Sequence, residues 1–200
     1  MNRIAVCILS VAVAASGLCR PVLAQESVVL DEGRIVTLYV LDAMTSHLSF
    51  NDGKPGAIVQ GHLTYNRDSQ LSFGTYAEDS FTVGIQGGED GAIVDIGDDA
   101  ALKARYGYSE TVGNVQGFAS IHLESGQAVI VKNYQTKQFQ PLKEFSELAR
   151  ERPDRNKAQV GIGHMYLIHI WNRRASSYYV KLKVLAYVPG QYVTIRWSRL

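Results

Sequence analysis

The chain has 200 residues, 46% hydrophobic and 20% charged, and its 20 Lys and Arg against 19 Asp and Glu leave a formal net charge of +1. That balance describes a globular chain rather than a disordered or collagen-like one, and its length fits a single domain. No basic excess is present to neutralise phosphates, so nucleic acid is not expected as a partner, and nothing in the charge signals an acidic substrate.

The N-terminus reads as an export signal. Met1-Asn2-Arg3 supplies one positive charge, Ile4 to Leu18 is an almost unbroken apolar run, and Val22-Leu23-Ala24 has small-enough residues at the cleavage positions. Cleavage is expected after Ala24, with the mature chain periplasmic or extracellular. The apolar run is about 15 residues, short of the roughly 20 that span a bilayer, and no second long run follows, so the mature chain is expected to carry no transmembrane segment. The alternatives are an uncleaved anchor and lipid attachment at Cys19, where Leu18 occupies the place a lipoprotein signal gives to a small residue. Cys7 and Cys19 both fall in the segment to be removed. A cysteine-free mature domain over 25–200 has no disulfide, no thiolate nucleophile and no thiolate metal site, and must be stabilised by core burial.

Strand signals dominate from there on, as apolar residues recur with period two between Gly, Asn, Asp and Pro. Arg34 to Leu41 is apolar on both faces and is expected at the centre of a sheet. Ser46 to Phe50, Ala57 to Tyr65, Gln70 to Phe73, Phe81 to Gln86 and Ala92 to Ile96 follow. Ala57 to Tyr65 carries Gln60, His62 and Thr64 on one face, as a half-exposed strand would. Asp98 can cap a short helix to about Tyr106, ended by Gly107 in the left-handed region. Phe118 to Leu123 and Gln127 to Lys132 are strands. Pro141 suits the first turn of a second helix, with Leu142, Phe145, Leu148 and Ala149 as its apolar stripe and Pro153 as its stop. The charged run from Arg150 to Lys157 reads as a solvated loop.

The C-terminal third reads as a three-stranded meander. Gly163 to Trp171 leads through the Asn172 to Ser176 loop into a strand with Tyr178, Val180, Leu182 and Val184 on one face. Lys181 and Lys183 take the other face, the pattern of a half-buried sheet. Val188-Pro189-Gly190-Gln191 fits a type II turn into a last strand bearing Val193, Ile195 and Trp197. With about eleven short strands, the expected fold is all-β, an antiparallel β-sandwich or barrel-like sandwich with two short helices.

Local signatures of catalysis are missing. There is no GxSxG elbow, SxxK or HExxH motif, and Gly161-Ile162-Gly163 lacks the third glycine of a dinucleotide loop and opens a strand. Ser120 and His122 are a same-face strand pair rather than part of a triad. Glu89, Asp90, Asp95, Asp98 and Asp99 offer oxygen ligands to a hard cation, but turn and cap roles account for each. His47, His62, His122, His164 and His169 lack helical i, i+4 spacing, and the positions of His164 and His169 differ by an odd number in what reads as one strand, so they point to opposite faces unless a bulge intervenes.

The most unusual stretch is the Arg105–Phe118 segment, which combines tyrosines, three glycines and polar side chains. Loops held by a rigid sheet concentrate binding residues, and Tyr supplies contact area at low entropic cost. Arg105, Tyr106, Tyr108, Glu110 and Gln116 are the expected ligand-binding residues, with an Ω-like loop that packs on itself as the bland alternative.

Gly163-His164-Met165-Tyr166-Leu167-Ile168, Tyr178 to Val184 and Val193 to Trp197 together resemble the terminal meander of bacterial secreted β-sandwich proteins of the HmuY type. The resemblance implies an all-β fold and, through His164 or His169, haem. The expected function is therefore exported, non-catalytic binding of a protein, glycan or small molecule through the 105–118 loop. The alternatives are a haem or cation carrier and a secreted hydrolase using loop carboxylates such as Asp95 and Glu110.

Overall fold

The computed structural model describes residues 33–40, 42, 45–56, 69–84, 89–107, 117–133, 138–148, 155–172 and 177–200. The export signal, both cysteines and the Ala57 to Tyr65 strand lie outside them. The described residues form an all-β fold of three antiparallel sheets with two short helices.

The main sheet has five strands: β1 (Arg34–Tyr39), β12 (Tyr192–Arg199), β11 (Ser177–Val188), β10 (Met165–Trp171) and β5 (Asp90–Gly97), side by side in that order. Its centre is the expected meander, and the Val188–Gln191 turn forms as anticipated. Gly190 takes a φ of +65°, and the Gln191 amide donates to the Val188 carbonyl at 3.1 Å. A second sheet, ordered β2 (His47–Leu48), β3 (Leu71–Phe73), β4 (Ser80–Val83) and β9 (Lys157–Gln159), covers one face. On the other face lie α1 (Asp99–Tyr106), the three-stranded sheet of β6 (Ile121–Glu124), β7 (Gln127–Asn133) and β8 (Gln138–Pro141), and α2 (Phe145–Leu148).

Two hydrophobic cores follow from this layering. In the first, Val180, Leu182, Val184, Val193, Ile195 and Trp197 of the main sheet meet Leu48, Phe50, Leu71, Phe73, Phe81 and Val83 of the second sheet and its turn. Rings cross the interface: Phe81 meets Tyr166 edge-on at 5.4 Å, and Phe50 lies 5.2 Å from Trp197. The second core joins Ala92, Ile96, Met165, Leu167 and Trp171 to the residues of the helices and the third sheet, among them Leu102, Phe118, Ile121 and Phe145. Each fully buried aliphatic or aromatic side chain contributes on the order of 1.5–3 kcal/mol before conformational entropy is counted.

The second core corrects one expectation directly. Lys181 and Lys183 do not face solvent; they are 1% and 8% exposed, because the helices and the third sheet cover the face they occupy. The Lys181 Nζ donates to the Ile121 carbonyl at 2.9 Å and lies 4.6 Å from the Phe118 ring centroid, and Lys183 pairs with Asp99. β1, expected centrally, pairs with β12 alone among the described residues and leaves Ile35 57% and Tyr39 49% exposed. Pro141 ends β8 instead of starting a helix. Lacking an N–H, it is tolerated there because β8 is an edge strand, bonded to β7 only. The apolar stripe of Leu142, Phe145 and Leu148 is buried as expected. Lys157, read as loop, opens β9. Among the described residues no helix is long and apolar enough to cross a membrane.

Candidate functional site

The expected binding segment is described at its two ends. Asp98 accepts from the Ala101 amide at 2.8 Å and so caps α1, and Gly107 ends it in the left-handed region at φ +60°. This fixes Arg105 and Tyr106 in the last turn, beside the segment that leads into α2. Arg105 forms an ion pair with Glu144. The Tyr106 hydroxyl donates to Glu144 at 2.5 Å and accepts from the Lys143 amide at 3.0 Å, with the ring only 1% exposed. Burial, reinforced by the neighbouring Glu144, raises the Tyr106 phenol above its ordinary pKa. Tyr106 thus anchors the segment in the second core instead of presenting its ring to solvent. At the other end Phe118 is fully buried in the same core. Tyr108, Glu110 and Gln116 lie outside the described residues.

The Phe118 end adjoins a cavity. Gly33, at φ +64°, runs so close to the main sheet that a Cβ there would lie 2.8 Å from the Trp197 carbonyl oxygen and 3.0 Å from the Phe118 ring. Beside it, at one end of the first core, opens a cavity of about 410 Å³. Gly33 and Arg34 before and in β1, Phe50 and Asn51 after β2, and Trp197, Ser198 and Arg199 of β12 line it. The volume falls within the roughly 300–1,000 Å³ of small-molecule sites.

Strand register builds this mouth. Arg34 lies opposite Trp197 across the β1–β12 ladder, on the face that Val36, Leu38, Val193 and Ile195 turn towards the first core. The turn after β2 closes over them, with Arg34 Nη1 donating to the Asp52 carbonyl at 3.1 Å and its guanidinium 5.6 Å from the Trp197 ring centroid. The Arg199 guanidinium stacks 3.7 Å from the centre of the Tyr178 ring. Trp197 is 3% exposed, yet its buried Nε1–H has no hydrogen-bond partner among the described residues. A buried donor left unsatisfied costs on the order of 1–3 kcal/mol.

Sequence reasoning placed Arg34 and Trp197 in strands but not in a site. Their meeting depends on pairing between the two ends of the chain, which no local pattern encodes. The available signal was Trp197 closing an alternating strand between Arg196 and Arg199.

The remaining candidate residues are spread over separate roles. His164 Nδ1 lies 2.8 Å from an Asp95 carboxylate oxygen, and the other oxygen accepts from the Gly97 amide at 2.8 Å. His169 is buried in another environment: Nδ1 donates to the Leu148 carbonyl at 3.0 Å, Nε2 lies 2.8 Å from Ser177 Oγ, and the ring stacks on Tyr179 at 4.4 Å. The acidic residues of 89–99 are likewise dispersed, with Glu89 on Gln70, Asp98 on its cap and Asp99 on Lys183. Among the described residues no group of three or more His, Cys, Asp or Glu side chains is placed to hold a metal ion.

One polar row crosses the second sheet, where His47 pairs with Ser72 and Ser72 with Thr82. The hydroxyls of Ser69, Ser72 and Thr82 are buried without partners among the described residues, around a cavity of about 10 Å³. That is room for about one water and not for an organic ligand. The mouth of the first core is therefore the candidate site. Comparisons of the chain with protein-family models, curated proteins and solved structures found no match.

Proposed function

We propose that this chain is an exported, non-catalytic β-sandwich that binds its ligand at the mouth of the first core, with the Arg105–Phe118 segment supplying further contacts. The observation that carries the reading is the cavity of about 410 Å³ lined by Arg34, Arg199 and Trp197. Small-molecule sites share this make-up of an apolar floor with a few fixed polar groups. Phe118, which ends the segment, touches the wall of the cavity at Gly33. Tyr108, Glu110 and Gln116 are the segment residues assigned to ligand contact. The non-catalytic part of the reading rests on the missing nucleophile and metal motifs in the sequence.

Native mass spectrometry of the full-length product, expressed with export and incubated with periplasmic extract, tests this. The expected result is a chain beginning at Gln25 that carries a small-molecule adduct. The adduct should be lost when Asn51→Trp crowds the mouth and weakened in the triple variant Tyr108→Ala, Glu110→Ala, Gln116→Ala. A wild-type protein without an adduct, or one retained by both variants, would overturn the reading.

A further inference from the structure

We propose that the mouth is an oxyanion site: it takes a small organic molecule bearing a carboxylate or phosphate, which Arg34 and Arg199 grip beside the Trp197 ring. This rests on the reading of the mouth as the binding site and adds the chemistry of the ligand.

The charge balance of the arginines points this way. Arg105 pairs with Glu144 and Arg155 with Glu147. Arg34 and Arg199, by contrast, form no ion pair with a carboxylate among the described residues. Arg34 is held by a backbone carbonyl and Arg199 by the face of a tyrosine. Among the described residues no Asp or Glu side chain lines the cavity. Asp52, the nearest acid in sequence to the lining turn, offers Arg34 its backbone carbonyl and turns its carboxylate to the Lys54 amide at 3.0 Å.

Guanidinium groups stay charged at any physiological pH, so the two arginines place positive charge that no described carboxylate pairs with at the rim of one cavity. Their partners hold them in place, so little side-chain entropy remains to be lost when an anion arrives. A carboxylate or phosphate can accept bidentate, charge-assisted bonds from such forks, which are roughly twice as strong as neutral ones. Asn51 supplies a neutral polar group for the rest of the ligand, and Phe50 with Trp197 an apolar floor.

Isothermal titration calorimetry of the full chain with four probes tests the assignment: inorganic phosphate, glucuronate, glucose 6-phosphate and glucose. At least one anionic probe should bind saturably, ten-fold or more tightly than glucose, and weaken as NaCl is raised. Which of them binds distinguishes carboxylate from phosphate. Arg34→Gln with Arg199→Gln should reduce that affinity at least ten-fold. Arg199→Lys, which keeps the charge and loses the fork, should give an intermediate loss and guards against misfolding of the double variant. Glucose binding as tightly as its charged counterparts would overturn the oxyanion assignment and leave mouth binding intact. Silence from all three anions, or anion binding that ignores the glutamine pair, would also overturn it. Loss of the native adduct in Asn51→Trp tests the mouth itself, independently of ligand class.

Discussion

Lys181 shows how much a single residue's meaning depends on what covers it. Alternation with Val180 and Leu182 reads as a wet face, but the third sheet and the helices bury that face and leave Lys181 1% exposed. Its ammonium is accommodated because it donates to the Ile121 carbonyl and lies over Phe118. Lys181→Ala removes the packed stem and leaves that carbonyl without this donor, and should lower unfolding stability by about 2–5 kcal/mol. Lys181→Met keeps the volume without a buried charge and should change it by less than ~1.5 kcal/mol. Urea denaturation of both variants checks this, and a near-neutral Lys181→Ala would return the residue to the surface.

Tyr166 and Tyr187 make a second residue-scale claim. Burial pushes the Tyr187 phenol up to about 12, with Asp79 adding to the effect, and pushes Tyr166 higher still. The folded chain therefore keeps protons that unfolded tyrosines give up near the ordinary value of 10.0. Their contribution is fully present below that pH and is lost as pH rises through 12. The Tyr166 hydroxyl also donates to the Gln159 carbonyl and accepts from the Gly161 amide, both at 2.8 Å. Tyr166→Phe should cost about 1–3 kcal/mol at neutral pH and make the alkaline loss of stability shallower, read from urea midpoints across the alkaline range. An alkaline profile unchanged from wild type would contradict the assignment.

Among elements, the periodicity of single strands was legible, and their neighbours were not. The β10–β11–β12 meander, the Pro189-Gly190 turn and the Asp98-capped helix could be read from local residues because each depends on contacts within a few positions. β1 misled because apolar side chains on both faces report composition, whereas place in a sheet is set by backbone pairing. Here Val36 and Leu38 fill the first core while Ile35 and Tyr39 stay exposed. β9 was hidden in a charged run, since a three-residue edge strand needs little apolar surface. The β1 account separates its two faces. Leu38→Ala, fully buried, should cost about 2–5 kcal/mol, and Ile35→Lys should fall within ~0.5 kcal/mol of wild type in the same denaturation assay. Equal, large losses for both would place β1 inside the sheet.

For the whole molecule, layering decides where function can sit. The main sheet is covered on both faces, so an open site is left to the ends of the sandwich, and the mouth lies where β1, β12 and the turn after β2 meet. The sequence pointed to a loop as the binding element. The described parts of that loop turn out to be anchors, Tyr106 and Phe118, while the mouth is assembled from residues more than 160 positions apart, Arg34 and Trp197. Such a site is invisible until the register is known.

The most direct test of the account uses its two tryptophans as internal reporters, because Trp197 lines the mouth and Trp171 lies in the second core. A ¹⁵N-resolved NMR titration would follow both indole N–H signals, assigned with a Trp171→Phe variant, as the tightest-binding anionic probe is added. Binding at the mouth predicts that the Trp197 indole signal moves to saturation while that of Trp171 stays in place. A Trp197 signal that stays fixed at saturating ligand, or a shift confined to Trp171, would contradict it.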